Sequence, residues 1–201
     1  MILKNMNNLK INIFNTPILK CKLNIDNLPL ISYFYKLKNE SAGLKVTNEG
    51  GWHSDYLYLN TKELQPLIKN IKKNLIHYVK NCGFKTNLTY QINYMWSIIN
   101  SYKDYNNIHN HPNCLFSGVY YVKTPENCGF LQFKNPSNEI YYHWNDEYIE
   151  SYNNINSTLW NLPIEQGDLY FFPSWSFHQV KPNLNKNEDR ISISFNISVK
   201  K

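Results

Sequence analysis

The spacing of apolar residues changes once along this chain of 201 residues, close to Gly83. Before Gly83, residues 27–43 and 61–82 carry apolar side chains at the three-to-four-residue period of an amphipathic helix. After it, short runs rich in tyrosine, isoleucine and phenylalanine are separated by Asn, Pro and Gly, as in strands joined by turns. This order favours a mainly β fold with flanking helices, in which the N-terminal helices pack on the outer face of a β-sandwich or jelly roll.

Local signals assign the individual elements of this fold. The helix at 61–82 has an apolar stripe formed by Leu64, Leu67, Ile68, Ile71, Leu75, Ile76 and Val79. The earlier helix is expected to be capped by Asp26 or Asn27 and to end at Gly43. Residues 9–24 alternate apolar and polar side chains and predict one or two strands. Further strands are predicted at residues 88–99, 115–125, 129–136, 139–144, 167–173 and 190–199.

Length and composition restrict the class of protein. We expect a single domain over residues 1–201, with strands and supporting helices in 1–90 and the core jelly-roll strands, including any metal site, in 91–201. Lysines interrupt the N-terminal residues, so no signal peptide is expected, and no window approaches the roughly 20 apolar residues of a membrane span. The net charge is +6, but the lysines are spread along the chain, so no nucleic-acid partner is expected.

The four cysteines are scattered, and no two of them have the CxxC spacing. Reduced thiols in a cytoplasmic protein are therefore favoured over disulfides or a cysteine-bound zinc ion.

Two histidines stand one residue apart in the segment "NNIHNHPNC", at His109 and His111. In an extended chain, side chains at i and i+2 point to the same face, so both rings can reach one ion. A third ligand is available at His178, at the end of a predicted strand far along the chain. Two neighbouring ligands and a distal histidine form the facial arrangement of non-haem Fe(II) oxygenases. The alternative is that the pair consists of polar loop residues, and the pair alone does not decide between the two.

Arg190 is the only arginine in the chain, and it opens the predicted strand "RISISFN" twelve residues after His178. Alternation places Arg190, Ser192 and Ser194 on one face of that strand, where they can line a cavity. A guanidinium group binds a carboxylate through two parallel hydrogen bonds, which a lysine cannot reproduce. The alternative is a surface salt bridge with Glu188 or Asp189, although an exposed pair would tolerate lysine.

Several segments together resemble the Fe(II)/2-oxoglutarate-dependent oxygenases, specifically a bacterial and phage group related to the prolyl-4-hydroxylase branch. These segments are "GWHS", "HNHPNCLFSGVYYV", "GFLQFKNP", "GDLYFFPSWSFHQVKPN" and "EDRISISFN", and the resemblance covers roughly residues 50–198. It implies a double-stranded β-helix, Fe(II) held by an HxD…H triad, and an arginine that binds the distal carboxylate of the cosubstrate 2-oxoglutarate, with O2 as the oxidant.

Carried over residue by residue, the resemblance gives His109 the first metal-ligand position, His178 the distal one, and Arg190 the cosubstrate carboxylate. Ser192 completes an RxS pattern, and Tyr121 matches a tyrosine that hydrogen-bonds the same carboxylate in some relatives. A protein of this group would act in the cytoplasm, either of a bacterium or of the host of a phage that encodes it.

The sequence departs from the family pattern at one position, because His111 stands where the family has the aspartate of HxD. Three neutral imidazoles would leave the ion its full charge, raise the Fe(III)/Fe(II) potential and weaken metal binding. Three-histidine iron sites occur in thiol dioxygenases and some cupins, which do not use 2-oxoglutarate. A cupin would, however, have a glutamate a few residues after HxH, where this chain has Leu115 and Phe116.

The remaining marked residues are expected to have lesser roles. His53 is interpreted as a substrate or structural contact, because a fourth protein ligand would fill the positions that 2-oxoglutarate and oxygen need. His77 is expected to be a packing or surface residue, and His143 is expected at the surface or at the rim of the site. A place in the core is favoured over a role as substrate platform for the three tryptophans Trp96, Trp144 and Trp175.

We therefore expect an oxygenase that hydroxylates its substrate, an unidentified small molecule or protein side chain. The alternatives are a three-histidine dioxygenase that needs no keto acid, and a non-enzymatic jelly roll such as a virion or carbohydrate-binding protein.

Overall fold

Two antiparallel β-sheets form the centre of the fold in the computed structural model, which describes residues 13–137 and 139–200. The strands are β1 (Leu19–Lys22), β2 (Asn48–Glu49), β3 (Trp52–His53), β4 (Tyr90–Asn100), β5 (Tyr105–His109), β6 (Phe116–Lys123), β7 (Leu131–Lys134), β8 (Leu159–Leu162), β9 (Asp168–Pro173), β10 (His178–Val180) and β11 (Arg190–Val199). The helices are α1 (Leu28–Glu40), α2 (Gln65–Asn81) and the short α3 (Glu139–His143), with 3-10 turns at Lys62–Leu64 and Asp146–Tyr148.

The strand order confirms the expected double-stranded β-helix, or jelly roll. The larger sheet has the order β1-β9-β6-β11-β4-β3, and the smaller sheet has the order β2-β5-β10-β7-β8. In each sheet, strands that are far apart in sequence lie side by side. For example, β11 lies between β4 and β6. The inner faces of the two sheets meet in an apolar cluster that includes Tyr121 and Phe172 from the larger sheet and Leu131 and Phe133 from the smaller one.

Helices α1 and α2 pack on the outer face of the larger sheet, as the order of patterns in the sequence predicts. Leu30 and Phe34 from α1 and Leu67 and Ile71 from α2 join the apolar side chains of the sheet in one buried cluster. From β11 this cluster receives the alternate residues Ile191, Ile193 and Phe195. The prediction that β11 has an apolar face toward the helices is therefore confirmed.

The apolar stripe of the second helix is confirmed except at one position. Leu64, Leu67, Ile68, Ile71, Leu75 and Val79 are buried, but Ile76 is 63% exposed. The helix turns by about 100° per residue, so Ile76 lies to one side of the stripe that passes through Leu75 and Val79. Its place is taken by Tyr78, which is buried and stacks on Phe171 of the sheet.

The start of α1 is attached to the larger sheet through Asn27. Its side-chain amide donates to the Val122 carbonyl at 3.0 Å and accepts from the Tyr120 hydroxyl at 2.8 Å. Asn27 is the N-cap residue, as one of the two predicted candidates, but its side chain makes no capping hydrogen bond. The carboxylate of Asp26, one residue earlier, accepts the Leu28 N–H at 3.0 Å. The helix ends at Glu40, three residues before the predicted Gly43.

The prediction of a strand at 139–144 is wrong. This segment forms the short helix α3, and the Trp144 N–H donates to the Ile140 carbonyl at 3.0 Å. A preference for strands measures how well a side chain fits a half-buried sheet, and this segment lies outside both sheets. The sequence pattern also does not predict the strands β2, β3 and β8, which are only two to four residues long.

The predicted opening strand corresponds to β1, and the part of that prediction at residues 9–12 lies outside the described residues. None of the helices in residues 13–137 and 139–200 has both the length and the apolar character needed to cross a bilayer.

Candidate active site

A cavity of about 220 Å³ opens between the two sheets. His109, His111 and His178 line it from the side of the smaller sheet. Ser192 and Ser194 line it from β11 of the larger sheet. The strand β11 therefore divides its side chains as predicted, with the serines toward the cavity and the isoleucines toward the helices.

Strands β5 and β10 bring two of the histidines together. His109 and His178 are direct partners in the antiparallel register, and their ring centroids lie 4.4 Å apart. His111 follows the end of β5, and its backbone N–H donates to the Ser174 carbonyl at 2.9 Å. Its ring lies 5.0 Å from that of His109 and 5.2 Å from that of His178. One nitrogen from each of the three rings lies within 4.8 Å of the others.

Backbone carbonyls determine which nitrogen of two of these rings carries the hydrogen. The Nδ1 atom of His109 lies 2.7 Å from the Asn107 carbonyl, and that of His178 lies 2.9 Å from the Ser176 carbonyl. Because a carbonyl oxygen can only accept, both Nδ1 atoms are donors, and each Nε2 of the neutral ring keeps its lone pair. This is the arrangement that orients a histidine for metal binding through Nε2.

The three imidazoles are neutral near pH 7. Burial and the neighbouring His109 lower the pKa of His111 to about 3. Burial also lowers the pKa of His109, and it lowers that of His178 well below its usual range, where Phe172 lies 4.6 Å away between ring centroids. Three neutral nitrogen donors that converge in a cavity suit a divalent first-row transition metal. The residues present therefore fit the metal that the resemblance implies, and His111 points into the site instead of turning away.

Arg190 is 1% exposed, and the surface salt bridge considered as its alternative role is not formed. Glu188 pairs with Lys123 at 2.9 Å, and Asp189 accepts a hydrogen bond from the Tyr35 hydroxyl at 2.9 Å. The Arg190 side chain instead turns toward the space between the sheets.

The guanidinium group of Arg190 is held by the protein on one side only. Its Nη1 atom donates to the backbone carbonyls of Cys128 and Lys181, and Nη2 donates to Asn100 Oδ1 at 2.9 Å. The Nε–H has no hydrogen-bond partner among the described residues, and Nη2 uses one of its two hydrogens. The Nε–H and one hydrogen of Nη2 are thus free for a further acceptor.

Tyr121 and Ser192 lie beside Arg190. Tyr121 on β6 is the register partner of Ser192 on β11, so the two side chains share a face with Arg190. Ser192 lines the cavity, whereas Arg190 and Tyr121 are not among its lining residues and are connected to it as neighbours of Ser192. The Tyr121 hydroxyl is buried without a partner in the described chain, and burial strongly raises its pKa, so it is a neutral donor.

Further buried polar atoms without partners belong to the same region. One is Nδ2 of Asn100, the residue that accepts from Arg190, and another is Nδ2 of Asn106, which lines the cavity. The third is Oγ of Ser176, two residues before His178. Buried polar groups without hydrogen bonds are rare in folded proteins, and each one calls for an explanation. Asn106 lines the cavity, and the other unpaired atoms belong to Arg190 and to residues near it or near His178, so this region has donors to spare for a polar ligand.

Asn106 and Tyr56 line the cavity although the sequence analysis did not select them. Between β5 and β10 the register shifts, because Asn106 pairs with Val180 while His109 pairs with His178. Two residues of β5, Asn107 and Ile108, therefore oppose the single residue Gln179 of β10, and this bulge allows Asn106 and His109 to reach the same cavity despite their odd separation. Simple alternation could not have found Asn106.

His53 and the tryptophans have mixed outcomes. His53 lines the cavity and stacks on Trp96, with 5.9 Å between the ring centroids. Trp96 is buried as predicted, but it also lines the cavity. Trp144 and Trp175 are 47% and 52% exposed, so the prediction that they lie in the core is wrong. His77 and His143 are exposed, as expected.

A family of known proteins and several solved structures are similar to this chain. Residues 94–196 match the family described as "Putative 2OG-Fe(II) oxygenase". No curated protein matches the sequence. Among solved structures, a prolyl-4-hydroxylase from Pseudomonas putida is similar with a TM-score of 0.61 and 9% identity, over 92% of this chain and 94% of that one.

Two further structures show the same fold. The viral collagen prolyl hydroxylase of Paramecium Bursaria Chlorella virus-1, solved as a 2OG complex, has a TM-score of 0.57 and 12% identity, over 90% of this chain and 94% of that one. HygX from Streptomyces hygroscopicus, solved with nickel and 2-oxoglutarate, has a TM-score of 0.61 and 11% identity, over 91% and 83%. At these identities the likeness is one of fold alone.

The family match covers just over half of the chain. It includes the three histidines and also Tyr121, Arg190 and Ser192. This chain belongs to the 2OG-Fe(II) oxygenase family.

Proposed function

We propose that this protein is an Fe(II)- and 2-oxoglutarate-dependent oxygenase that hydroxylates a substrate. The observation that carries the proposal is the combination of three converging neutral imidazoles in the cavity with buried, unpaired donors on Arg190 and Tyr121, which neighbour the cavity-lining Ser192. A jelly roll that only builds a virion would have no ligand for the unpaired buried donors, which cost free energy when unsatisfied. One that only binds carbohydrate would have no use for three converging imidazoles.

His109, His111 and His178 would hold the metal, with Nε2 as the ligand atom of His109 and His178. Three protein ligands leave open positions for a bidentate keto acid and for oxygen. The Asn107 and Ser176 carbonyls would keep the two Nε2 atoms directed at the ion by fixing the Nδ1 hydrogens.

Arg190, Tyr121 and Ser192 would hold the distal carboxylate of 2-oxoglutarate. A carboxylate buried between two sheets needs a counter-charge, because an unpaired buried charge is very costly. Arg190 is the only arginine of the chain, and the free hydrogens of its guanidinium group and the unpaired Tyr121 hydroxyl supply donors without breaking any bond inside the protein. The Cys128 and Lys181 carbonyls would keep the guanidinium group in place.

Bound Fe(II) would supply the activation of O2, in which 2-oxoglutarate is oxidised to succinate and CO2 and one oxygen atom enters succinate and the other a substrate C–H bond. The protein would position the cosubstrate through Arg190 and keep bulk water out through the apolar side chains between the sheets, such as Phe172 and Leu131.

One observation favours a second candidate function. Because His111 replaces the carboxylate ligand of the family, the site has the three-histidine set of metal dioxygenases that use no keto acid. That candidate would leave the unpaired donors of Arg190 and Tyr121 without a purpose.

Succinate formation separates the two candidates. Anaerobically prepared protein, loaded with Fe(II), is mixed with 2-oxoglutarate and exposed to O2 while succinate and remaining 2-oxoglutarate are measured. We expect metal-dependent conversion to succinate, which many such enzymes would show slowly even without their substrate. Calorimetry under anaerobic conditions provides a second measurement. Protein that holds one metal ion per chain but neither binds nor consumes 2-oxoglutarate would be a three-histidine dioxygenase, and protein that holds no metal would be neither.

A further inference from the structure

A row of stacked aromatic side chains leads from the protein surface to the histidine cluster. Tyr94 and Tyr56 are half-exposed and stack on each other, with 4.6 Å between ring centroids. Tyr56 meets Trp96 edge-on at 6.5 Å, and Trp96 lies 5.6 Å from the ring of His111. These separations are within the range of favourable aromatic contacts. A ring that rests against Tyr56 and Trp96 therefore lies next to the proposed metal site.

The walls of this cavity carry no charge. Among the described residues that line it, none is Asp, Glu, Lys or Arg. Leu44 and Val46 also line the cavity, and both are exposed. A charged group that packed against the aromatic row and did not reach the metal ion would lose its hydration without meeting a charged side chain, at a large cost in free energy. The part of a substrate that packs against this row is therefore neutral.

The cavity also restricts the size of that part. Its volume of about 220 Å³ lies below the roughly 300–1,000 Å³ of pockets that enclose drug-sized ligands. The metal ion and 2-oxoglutarate would occupy part of this volume, so no more than a ring-sized group fits beside them. The rest of a larger substrate would lie outside, over the exposed parts of Tyr56 and Tyr94.

His53 adds one directed polar contact to these apolar walls. Its Nδ1 atom lies 2.7 Å from the Ser54 carbonyl, so Nδ1 carries the hydrogen and Nε2 keeps a lone pair in the neutral ring. Nε2 has no hydrogen-bond partner in the described part of the chain, and the side chain lines the cavity. The nearly parallel stacking on Trp96, with 12° between the ring planes, holds the imidazole in place. His53 is thus a hydrogen-bond acceptor directed at the space beside the metal ligands.

We propose that the substrate presents a neutral aromatic ring bearing an N–H or O–H group, which packs against Tyr56 and Trp96 and donates its hydrogen bond to His53. This inference rests on the proposed oxygenase function, since it names the group that the same site would receive. His53 is a positioning residue for this ring and lies outside the metal-binding set.

Four small probes test the ring subsite by calorimetry on anaerobic, Fe(II)-loaded protein, with and without 2-oxoglutarate. Indole has the ring and an N–H donor, 1-methylindole lacks the donor, and indole-3-acetate carries a charge. The fourth probe, an acetylated and amidated Gly-Trp-Gly peptide, presents the indole as a protein side chain. We expect saturable binding of indole, with 1-methylindole roughly three- to tenfold weaker through the loss of one neutral hydrogen bond. With 2-oxoglutarate bound at the metal, indole-3-acetate should bind weaker still, because its carboxylate would be desolvated without meeting a counter-charge.

Three variants test which side chains contact the ring of the probe. In His53→Ala, indole and 1-methylindole should bind equally, while the metal content stays at the wild-type value. In Tyr56→Leu, the affinity for indole should fall roughly three- to tenfold through the loss of the aromatic contact. Tyr148→Leu is the matched control, because Tyr148 is exposed and does not line the cavity, and its affinity for indole should be unchanged. If the peptide binds more tightly than free indole, the ring comes from a protein, and if it binds less tightly, the ring comes from a small molecule.

The proposal is wrong if indole does not bind at millimolar concentration, if indole-3-acetate binds as tightly as indole with 2-oxoglutarate bound, or if His53→Ala loses metal and is therefore a ligand variant. These results are independent of the proposed function, which is tested by binding and turnover of 2-oxoglutarate. Protein that binds indole but not 2-oxoglutarate would keep the ring subsite and lose the oxygenase assignment, whereas the reverse result would leave the oxygenase without this substrate class.

Discussion

His109 and His178 face each other across neighbouring antiparallel strands, with their ring centroids 4.4 Å apart. The backbone ladder between β5 and β10 sets this separation, so the two rings are in position before any ion binds. A site built on strands is held more precisely than one built on loops. His111 lacks this support from a strand partner, but its backbone is attached to Ser174 on the segment that leads to β10.

Replacing the distal histidine should abolish metal binding. His178→Ala removes one of three converging nitrogen donors, and its affinity for Fe(II) should fall by more than the roughly 10- to 100-fold lost when an outer-shell partner is removed. Metal analysis after anaerobic loading measures the stoichiometry. His77→Ala on the exposed face of α2 is the control and should bind one ion per chain. Unchanged iron in His178→Ala would place the metal elsewhere.

Restoring the family's carboxylate should preserve the metal site. His111→Asp supplies a charged oxygen ligand that compensates part of the charge of the ion, so it should bind Fe(II) at least as tightly as the wild type. His111→Ala, which supplies no ligand, should bind more weakly than both. Anaerobic titration with Fe(II) gives the three affinities. If His111→Asp binds Fe(II) no more tightly than His111→Ala, the backbone at this position does not place an aspartate where it can bind the metal.

Removing the Tyr121 hydroxyl should weaken cosubstrate binding without destabilising the protein. The hydroxyl is buried and unpaired within the described chain, so Tyr121→Phe should be as stable as the wild type or slightly more stable in the absence of 2-oxoglutarate. The loss of a hydrogen bond to a carboxylate, worth about 1.5–3 kcal/mol, should weaken 2-oxoglutarate binding roughly 10- to 100-fold. Thermal unfolding and anaerobic calorimetry measure the two effects.

The neighbouring tyrosine provides the control for this experiment. The Tyr120 hydroxyl is bonded to Asn27 on the helix side of the same strand. Tyr120→Phe should therefore lose about 1 kcal/mol of stability and leave 2-oxoglutarate affinity unchanged. If both variants behave alike, Tyr121 does not contact the cosubstrate.

Replacing Arg190 by lysine should affect both the cosubstrate and the stability. Lysine keeps the positive charge but cannot donate two parallel hydrogen bonds to a carboxylate. It also cannot replace the hydrogen bonds that Arg190 donates to Cys128, Lys181 and Asn100. The apparent affinity for 2-oxoglutarate should fall roughly 10- to 100-fold, and unsatisfied buried acceptors should cost about 1–3 kcal/mol of stability. Metal content should be nearly unchanged.

Succinate formation as a function of 2-oxoglutarate concentration measures this effect, and Arg190→Ala should be worse because the carboxylate then has no counter-charge. Wild-type affinity in both variants would give Arg190 a purely structural role.

The corrected apolar stripe of α2 predicts a contrast in stability. Leu67→Ala removes a fully buried side chain between the helix and the larger sheet and should cost about 2–5 kcal/mol of unfolding free energy. Ile76→Ala, one of the seven residues expected in the stripe, should change the stability by no more than about 0.5 kcal/mol because its side chain is exposed. Chemical denaturation of both variants measures the difference, and equal losses would contradict the burial of α2.

Local periodicity was sufficient for the elements whose side chains repeat regularly. The stripe of α2 and the alternation of β11 follow from backbone geometry alone, so the sequence predicts that Ser192 and Ser194 face away from Ile191 and Ile193. Local periodicity failed at residues 139–144, whose residue types favour a strand although the segment lies outside both sheets and forms a short helix. It also failed for Trp144 and Trp175, because an average tendency toward burial does not specify the surroundings of one residue.

By itself, the sequence determined the mainly β class, the helices on its outer face, and the residue types of the site, because these depend on local patterns and on rare residues such as Arg190. Only the tertiary structure decided that the three histidine rings meet, that a bulge in β5 turns Asn106 into the cavity, and that Arg190 keeps donor hydrogens free. These features depend on contacts between segments up to 90 residues apart, as between Asn100 and Arg190. Such contacts follow from strand pairing and burial, which the spacing of residues along one segment does not encode.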